Sequence, residues 1–315
     1  MRELKIFSGR ANPQLAQDIC DFLHLDLGSI TLNKFPDGEN NCKVEDDVRG
    51  RDVYLIQPTC PPVNDNLMEL LIMIDSCKRA SAARITAVMP YYGYARQDRK
   101  DEGRTPITAK LVANVITRAG ADRVLAMDLH APQIQGFFDV PVDHLYAAPV
   151  FTTYFQSLMF DPAEIVVVSP DEGSIKRAIG HAKRLGGKIA IIDKQRDSAL
   201  KTQQKHIIGG PVDGKICLMF DDMISTAGSI CGAAQLVHKA GAKEIHLAAT
   251  HGVLCENAIK NLRSAPINSL VITDTIPLPL EKRLETIKVL TVAPLLAEAI
   301  RRIHSNKSIS QMFTS

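Results

Sequence analysis

KICLMFDDMISTAGS, running from Lys215 to Ser229, decides the architecture. Ile216 to Phe220 form a short, continuously apolar run, the pattern of a strand buried on both faces in a parallel sheet. Two acids follow, Asp221 and Asp222, and then the small residues Ser225, Thr226, Ala227, Gly228 and Ser229 turn the chain into a helix beginning near Ile230. Small residues let backbone N–H groups and hydroxyls approach a phosphate, and the helix N-terminus adds positive potential. The acids could accept hydrogen bonds from sugar hydroxyls or bind a metal-ligated water. An ordinary strand-to-helix turn with capping Ser and Thr uses the same residue types. The Gly-Lys-Ser/Thr ending of a Walker loop is missing, so that nucleotide site is not indicated.

Working outward, the same kind of apolar run recurs at Leu4 to Phe7, Val53 to Pro58, Arg84 to Pro90, Arg123 to His130, Glu164 to Pro170, Lys188 to Asp193, Glu244 to His251 and Ser269 to Asp274. Helix-length segments separate them, which predicts an α/β protein with mainly parallel sheets. Asn12 followed by Pro13 marks a helix start running to Leu23. The element order repeats. A strand, a helix, a strand and a polar loop occur first over Val53 to Thr105, with the loop from Tyr91, and again over Glu164 to His206, with the loop from Lys194. Two similar domains are expected, residues 1–147 and 148–315, joined near Tyr146 to Pro149. The last ten or so residues are expected to pack back on the first domain.

The 315 residues fit about two domains at ~150 residues each. Apolar residues make up 45% and charged residues 23%, too hydrophobic for a disordered chain. Lys and Arg number 37 against 35 Asp and Glu, a net charge of +2, so no global field would hold the chain on a nucleic acid or a membrane. Seven cysteines with no CxxC spacing fit reduced, packed thiols in the cytoplasm. The start MRELKIFSGR lacks an apolar signal-peptide region, and no apolar run approaches the ~18 residues of a membrane span.

In open parallel sheets ligands bind beyond the carboxyl ends of the strands. Asp171, in Pro170 to Ser174, stands at such an end, where it could hold Mg²⁺ together with substrate phosphates and water, or simply cap a helix. His130 closes the run Met127 to His130 in the other half. Two charged loops, Tyr94 to Lys100 and Asp193 to Asp197, follow strands and carry the Arg and Lys needed to neutralise a polyphosphate. Taken singly, each also reads as a solvated surface loop.

KFPDGE (Lys34 to Glu39), TCPPVNDNLMEL (Thr59 to Leu70), YYGYARQDR (Tyr91 to Arg99), DLHAPQIQGFFDVPVD (Asp128 to Asp143), the Asp193 loop, the FDDMISTAGS loop and AEAIRRIH (Ala297 to His304) together resemble the ribose-phosphate diphosphokinases, also called phosphoribosyl pyrophosphate synthetases, of the phosphate-activated class. The similarity runs from Lys5 to Phe313. It implies tandem phosphoribosyltransferase-like domains and transfer of a diphosphoryl group from MgATP to the 1-hydroxyl of ribose 5-phosphate, for nucleotide biosynthesis. By position it implies an ATP site of Phe35, Asp37, Glu39, Arg96, Gln97 and Arg99, the first three reaching in from a neighbouring subunit of a homo-oligomer, a hexamer built from dimers. His130 and Asp171 would serve Mg²⁺ and the triphosphate, and Lys194 and Arg196 would close catalytically over the transferred group. Asp221 and Asp222 would hold the ribose hydroxyls, while Ser225, Thr226, Ala227, Gly228 and Ser229 wrap the 5-phosphate. Arg49, Ser81, Arg104, Ser308, Ser310 and Phe313 match an inter-subunit site where inorganic phosphate activates.

The chain departs from the resemblance at Ser225, Ser229, Ser174 and Glu172, where relatives usually carry Asp, Thr, Gly and a small residue, and at Asp47 and Gly103, where Ser is common. Ser225 removes a charge beside the sugar phosphate, and Asp47 would repel an anion. A catalytically silent, regulatory relative is the alternative from another class. A phosphoribosyltransferase that consumes the diphosphate is a second, opposed by the cluster from Phe35 to Arg99.

Overall fold

The computed structural model describes residues 3–100, 102–196 and 203–313, with side chains excepted at 194–196 and 203–205. In chain order the elements are β1 (Leu4–Ser8), α1 (Pro13–Leu23), β2 (Ile30–Lys34), β3 (Asn40–Val44), β4 (Asp52–Ile56), α2 (Val63–Arg79), β5 (Arg84–Met89), α3 (Thr108–Ala119), β6 (Arg123–Met127) and β7 (Val142–Leu145). There follow α4 (Ala148–Ser157), β8 (Ile165–Ser169), α5 (Ile175–Leu185), β9 (Lys188–Arg196), β10 (Gln203–Gly209), β11 (Ile216–Ile224) and α6 (Gly228–Lys239). The last are β12 (Glu244–Gly252), α7 (Ala258–Ser264), β13 (Ser269–Thr273), β14 (Ile287–Leu290) and α8 (Ala293–His304).

These elements form two compact units. The first comprises Met1–Tyr146, Thr275–Pro277 and Thr291–Ser315; the second comprises Ala147–Asp274 and Leu278–Leu290. The first carries a five-stranded sheet in the order β1-β4-β5-β6-β7, parallel throughout. Its core packs α2 and α3 through Leu70, Met73, Ile74, Val112 and Ile116. Asn12 caps α1 as its sequence predicts, its side chain accepting from Leu15 N at 3.3 Å with Pro13 in the first turn.

The C-terminal helix α8 lies on α1 in this unit, and a charged cluster ties it down. Arg84 forks onto Asp52, Nε to Oδ1 at 2.7 Å and Nη2 to Oδ2 at 2.5 Å, while His304 Nδ1 lies 2.7 Å from the same Oδ2. Arg84 also donates to the Ile303 carbonyl at 3.3 Å. Burial opposes the Asp52 charge, but Arg84 and His304 outweigh it and hold the carboxyl below its ordinary range.

The second unit carries a seven-stranded sheet in the order β10-β9-β8-β11-β12-β13-β14. Every pairing is parallel except β9 with β10, which is antiparallel with Asp193 opposite His206 and Ile192 opposite Ile207. Within the polar loop expected from Lys194 to His206, the described residues are strand: β9 runs on to Arg196 and β10 begins at Gln203. β10 is the edge strand of this sheet, and an edge strand tolerates polar residues, which is why its start reads as loop.

The order reverses direction between β8 and β11. From β8 the chain moves to β9 on one side, and from β11 to β12 on the other. Such a switch point opens a crevice at the carboxyl ends of the two strands, because the connections leave in opposite directions. Pairing between β8 and β11 ends at Val167 with Leu218, so β11 continues for six residues with only β12 beside it. Asp221 and Asp222 fall on that overhanging stretch.

Candidate functional site

At the β8–β11 crevice, Ser169 ends its strand and donates through Oγ to the Asp171 carbonyl at 2.7 Å. Asp171 Oδ1 accepts from Ser174 N at 2.9 Å, which caps the turn leading into α5. Ser174 is buried under that turn. Asp171 thus performs the capping role, with Oδ2 left for a further ligand.

Asp221 and Asp222 come together under one guanidinium. Arg177, in the first turn of α5, donates from Nη1 to Asp221 Oδ1 at 2.7 Å and from Nη2 to Asp222 Oδ1 at 3.0 Å. Asp222 N also donates to Asp221 Oδ1, at 2.9 Å. Asp222 is buried. Burial pushes the Asp221 carboxyl well above the carboxylate range, the Asp222 charge pushes it further, and Arg177 offsets part of both. Two acids forced together in this way favour ligands that offer hydrogen-bond donors, such as the hydroxyls of a sugar.

Beyond Ile224 the chain turns through Ser225, Thr226 and Ala227 into α6. Ala227 adopts the left-handed conformation at φ 62°, ψ 2°, and it is buried. Left-handed backbone just before a helix gathers successive N–H groups toward one point, an anion-binding concavity. Thr226, Gly228 and Ser229 are exposed there. Asn261 Nδ2 holds the Thr226 carbonyl at 2.9 Å, and the Ser225 hydroxyl lies 3.0 Å from Cys255 Sγ.

The nucleotide-side candidates belong to the first unit. Phe35, Asp37 and Glu39 sit in the turn of the antiparallel β2–β3 hairpin, closed by Phe35 N to Glu39 O and Gly38 N to Phe35 O, both at 2.9 Å. Gly38 takes φ 96°, which only glycine adopts without strain. All three candidates are exposed, Phe35 to 50%. Arg96, Gln97 and Arg99 are exposed on the loop after β5, anchored by Gln97 N to Tyr94 O at 3.0 Å and Ala109 N to Gln97 O at 3.1 Å. His130 follows β6 and is also exposed.

Arg49 Nη1 donates to Ser81 Oγ at 3.3 Å, and Ser308 and Ser310 hydroxyls meet at 2.7 Å. Phe313 packs edge-on against Tyr146, ring centroids 5.7 Å apart. Ser81 and Arg104 both have positive φ, 66° and 65°. Lys194 and Arg196 are placed only as backbone at the end of β9; their side chains and residues 197–202 lie outside the described residues.

Arg177 is the residue that sequence reading passes over. In IKRAIGHAKRL it looks like one cation on a charged helix, yet it shares a face with His181 one turn later, and His181 stacks on Phe220.

A family model for the N-terminal domain of ribose phosphate pyrophosphokinase matches residues 4–120, and one for a phosphoribosyl synthetase-associated domain matches 197–314. The chain belongs to the ribose-phosphate pyrophosphokinase family. A ribose-phosphate pyrophosphokinase of Rhodopirellula baltica is 73% identical over 313 residues, 99% of each chain. One of Caldanaerobacter subterraneus is 55% identical over 311 residues, 99% of this chain and 98% of that one. The crystal structure of phosphoribosylpyrophosphate synthetase from Mycobacterium smegmatis, 43% identical, covers 97% of this chain and all of its own, with a TM-score of 0.91. The α/β fold with mainly parallel sheets is that of the ribose-phosphate pyrophosphokinases, and its two units are phosphoribosyltransferase-like domains.

Proposed function

We propose that the protein transfers the β,γ-diphosphoryl group of ATP to the 1-hydroxyl of ribose 5-phosphate, releasing AMP and 5-phosphoribosyl 1-diphosphate. The observation that carries this reading is the switch-point crevice, where a paired acid set on β11 leads directly into a left-handed turn and the start of α6. A sugar phosphate has the matching polarity: hydroxyls for Asp221 and Asp222, and an anion for Ser225 to Ser229. The same relatives give no support to the alternative of a silent regulatory subunit.

In the reaction the ribose O1 attacks the β-phosphorus, the bond from that phosphorus to the α,β-bridging oxygen breaks, and the hydroxyl proton leaves to solvent. Phosphoryl transfer of this kind is governed by positioning and charge neutralisation. We assign ATP to Phe35, Asp37, Glu39, Arg96, Gln97 and Arg99. The exposed hairpin tip suits a role in a neighbouring subunit's site, within a hexamer built from dimers. Lys194 and Arg196 neutralise the group in flight.

Mg²⁺ is the cofactor of this reading. Among the described residues no group of three His, Cys, Asp or Glu side chains forms an all-protein metal cage. An ion held mainly by substrate phosphates and water needs only one or two protein ligands, and Asp171 fits, with one oxygen engaged at Ser174 and the other left over. His130 is assigned to the same ion and triphosphate. Bound there, Mg²⁺ would neutralise phosphate charge and polarise the phosphorus under attack.

Inorganic phosphate is proposed as an activator at Arg49, Ser81, Arg104, Ser308, Ser310 and Phe313. No helix among the described residues is long and apolar enough to cross a membrane. The free cysteines support a cytoplasmic location. Incubation with MgATP and ribose 5-phosphate, followed by chromatography, tests the activity: AMP accumulates only when both substrates are present. ADP as the nucleotide product would refute the assignment.

A further inference from the structure

We infer that Arg177 is a positioning residue for the sugar substrate, setting the two ribose-binding carboxylates through one guanidinium. The inference rests on the reading of Asp221 and Asp222 as ribose ligands. Consecutive residues of a strand direct their side chains to opposite faces. A single group that holds an oxygen of both therefore fixes the rotamer of each. Arg177 does so with separate nitrogens, at 2.7 Å to Asp221 and 3.0 Å to Asp222.

The rest of the local structure holds Arg177 in register. His181, one turn further along α5, lies flat against Phe220, the residue preceding Asp221, with ring centroids 3.7 Å apart and planes 5° apart. Helix and strand are thus clamped next to the acids. The described bonds to Asp221 from Arg177 and from Asp222 N both end on Oδ1. A planar, rigid fork can serve two carboxylates at once, whereas a lysine ammonium acts as a point charge on a flexible stem.

The test is steady-state kinetics of the full chain as wild type, Arg177→Lys, Arg177→Gln and Asp221→Asn, with folding checked by thermal unfolding. Arg177→Gln is expected to raise the KM for ribose 5-phosphate about tenfold, the scale of a lost charge-assisted hydrogen bond, while the KM for ATP stays within about twofold. Arg177→Lys restores the charge without the fork and should recover only part of the loss. If Arg177→Gln fails to fold, Arg177→Lys decides: a raised ribose 5-phosphate KM supports the inference and a wild-type KM overturns it. Equal changes in both KM values would reduce Arg177 to a general structural role and overturn it too. If Asp221→Asn shifts the ribose 5-phosphate KM and neither Arg177 variant does, the inference falls while the reading of the acids stands. If none of the three shifts it, both fall.

Discussion

His181 lies face to face with Phe220, and the imidazole is buried with its Nδ1 lacking a hydrogen-bond partner among the described residues. Burial is the largest cause, followed by the charges of Arg184 and Arg177, that pushes its pKa down to about 3. In the unfolded chain the same group titrates near 6.5. The folded state therefore binds fewer protons, and its stability is lost progressively as pH falls below 6.5 toward 3. Between pH 7 and pH 5 this one group should remove about 2 kcal/mol, measurable by urea unfolding at the two values. His181→Phe keeps the stacking shape, and its pH 5 penalty should shrink accordingly. An unchanged penalty would mean that other groups carry it.

The Asp52 cluster predicts a stability effect remote from the crevice. Asp52 is buried, with Arg84 and His304 both bound to it. Asp52→Asn leaves a partly buried guanidinium without its counter-charge, which should cost about 3 kcal/mol in denaturant unfolding. Wild-type stability in that variant would show that the cluster is energetically neutral.

Lys194→Ala tests the proposed charge-neutralising role at the end of β9. Turnover should fall by about two to three orders of magnitude, because the cation acts on charge that develops during transfer. Both KM values should change by less than about threefold. Near-normal turnover would remove Lys194 from the catalytic set.

Phosphate activation is expected to be weak. Asp47 Oδ1 accepts from Arg49 N at 3.0 Å, placing an acid beside the proposed anion ligand. Activity measured against phosphate at fixed ionic strength should rise modestly in wild type and not at all in Arg104→Ala. Identical curves would dismiss the site.

Much of this was legible beforehand because it depends on local pattern. The buried strands read as apolar runs, Asn12 and Pro13 announced α1, and the small residues after Asp222 marked the turn into α6. What escaped depends on partners distant in the chain. The β2–β3 hairpin alternates Ile30 and Leu32 with Thr31 and Asn33, and Cys42 and Val44 with Asn41 and Lys43, but its strands are short and half polar and give no continuous apolar run to read. Arg177 is 44 residues from Asp221, so nothing in its own helix discloses the pair it holds. The last ten or so residues are expected on the first domain, but that α8 lies there too rests on contacts such as His304 with Asp52, 252 residues apart.

Phosphorus NMR of the reaction with MgATP and ribose 5-phosphate tests the central claim most directly. Transfer at the β-phosphorus predicts that the β and γ signals of ATP move together onto the sugar as a diphosphate, while the α signal becomes the monophosphate of AMP. Appearance of ADP with a single phosphate on the 1-position of the sugar would contradict it, as would ATP left intact beside ribose 5-phosphate.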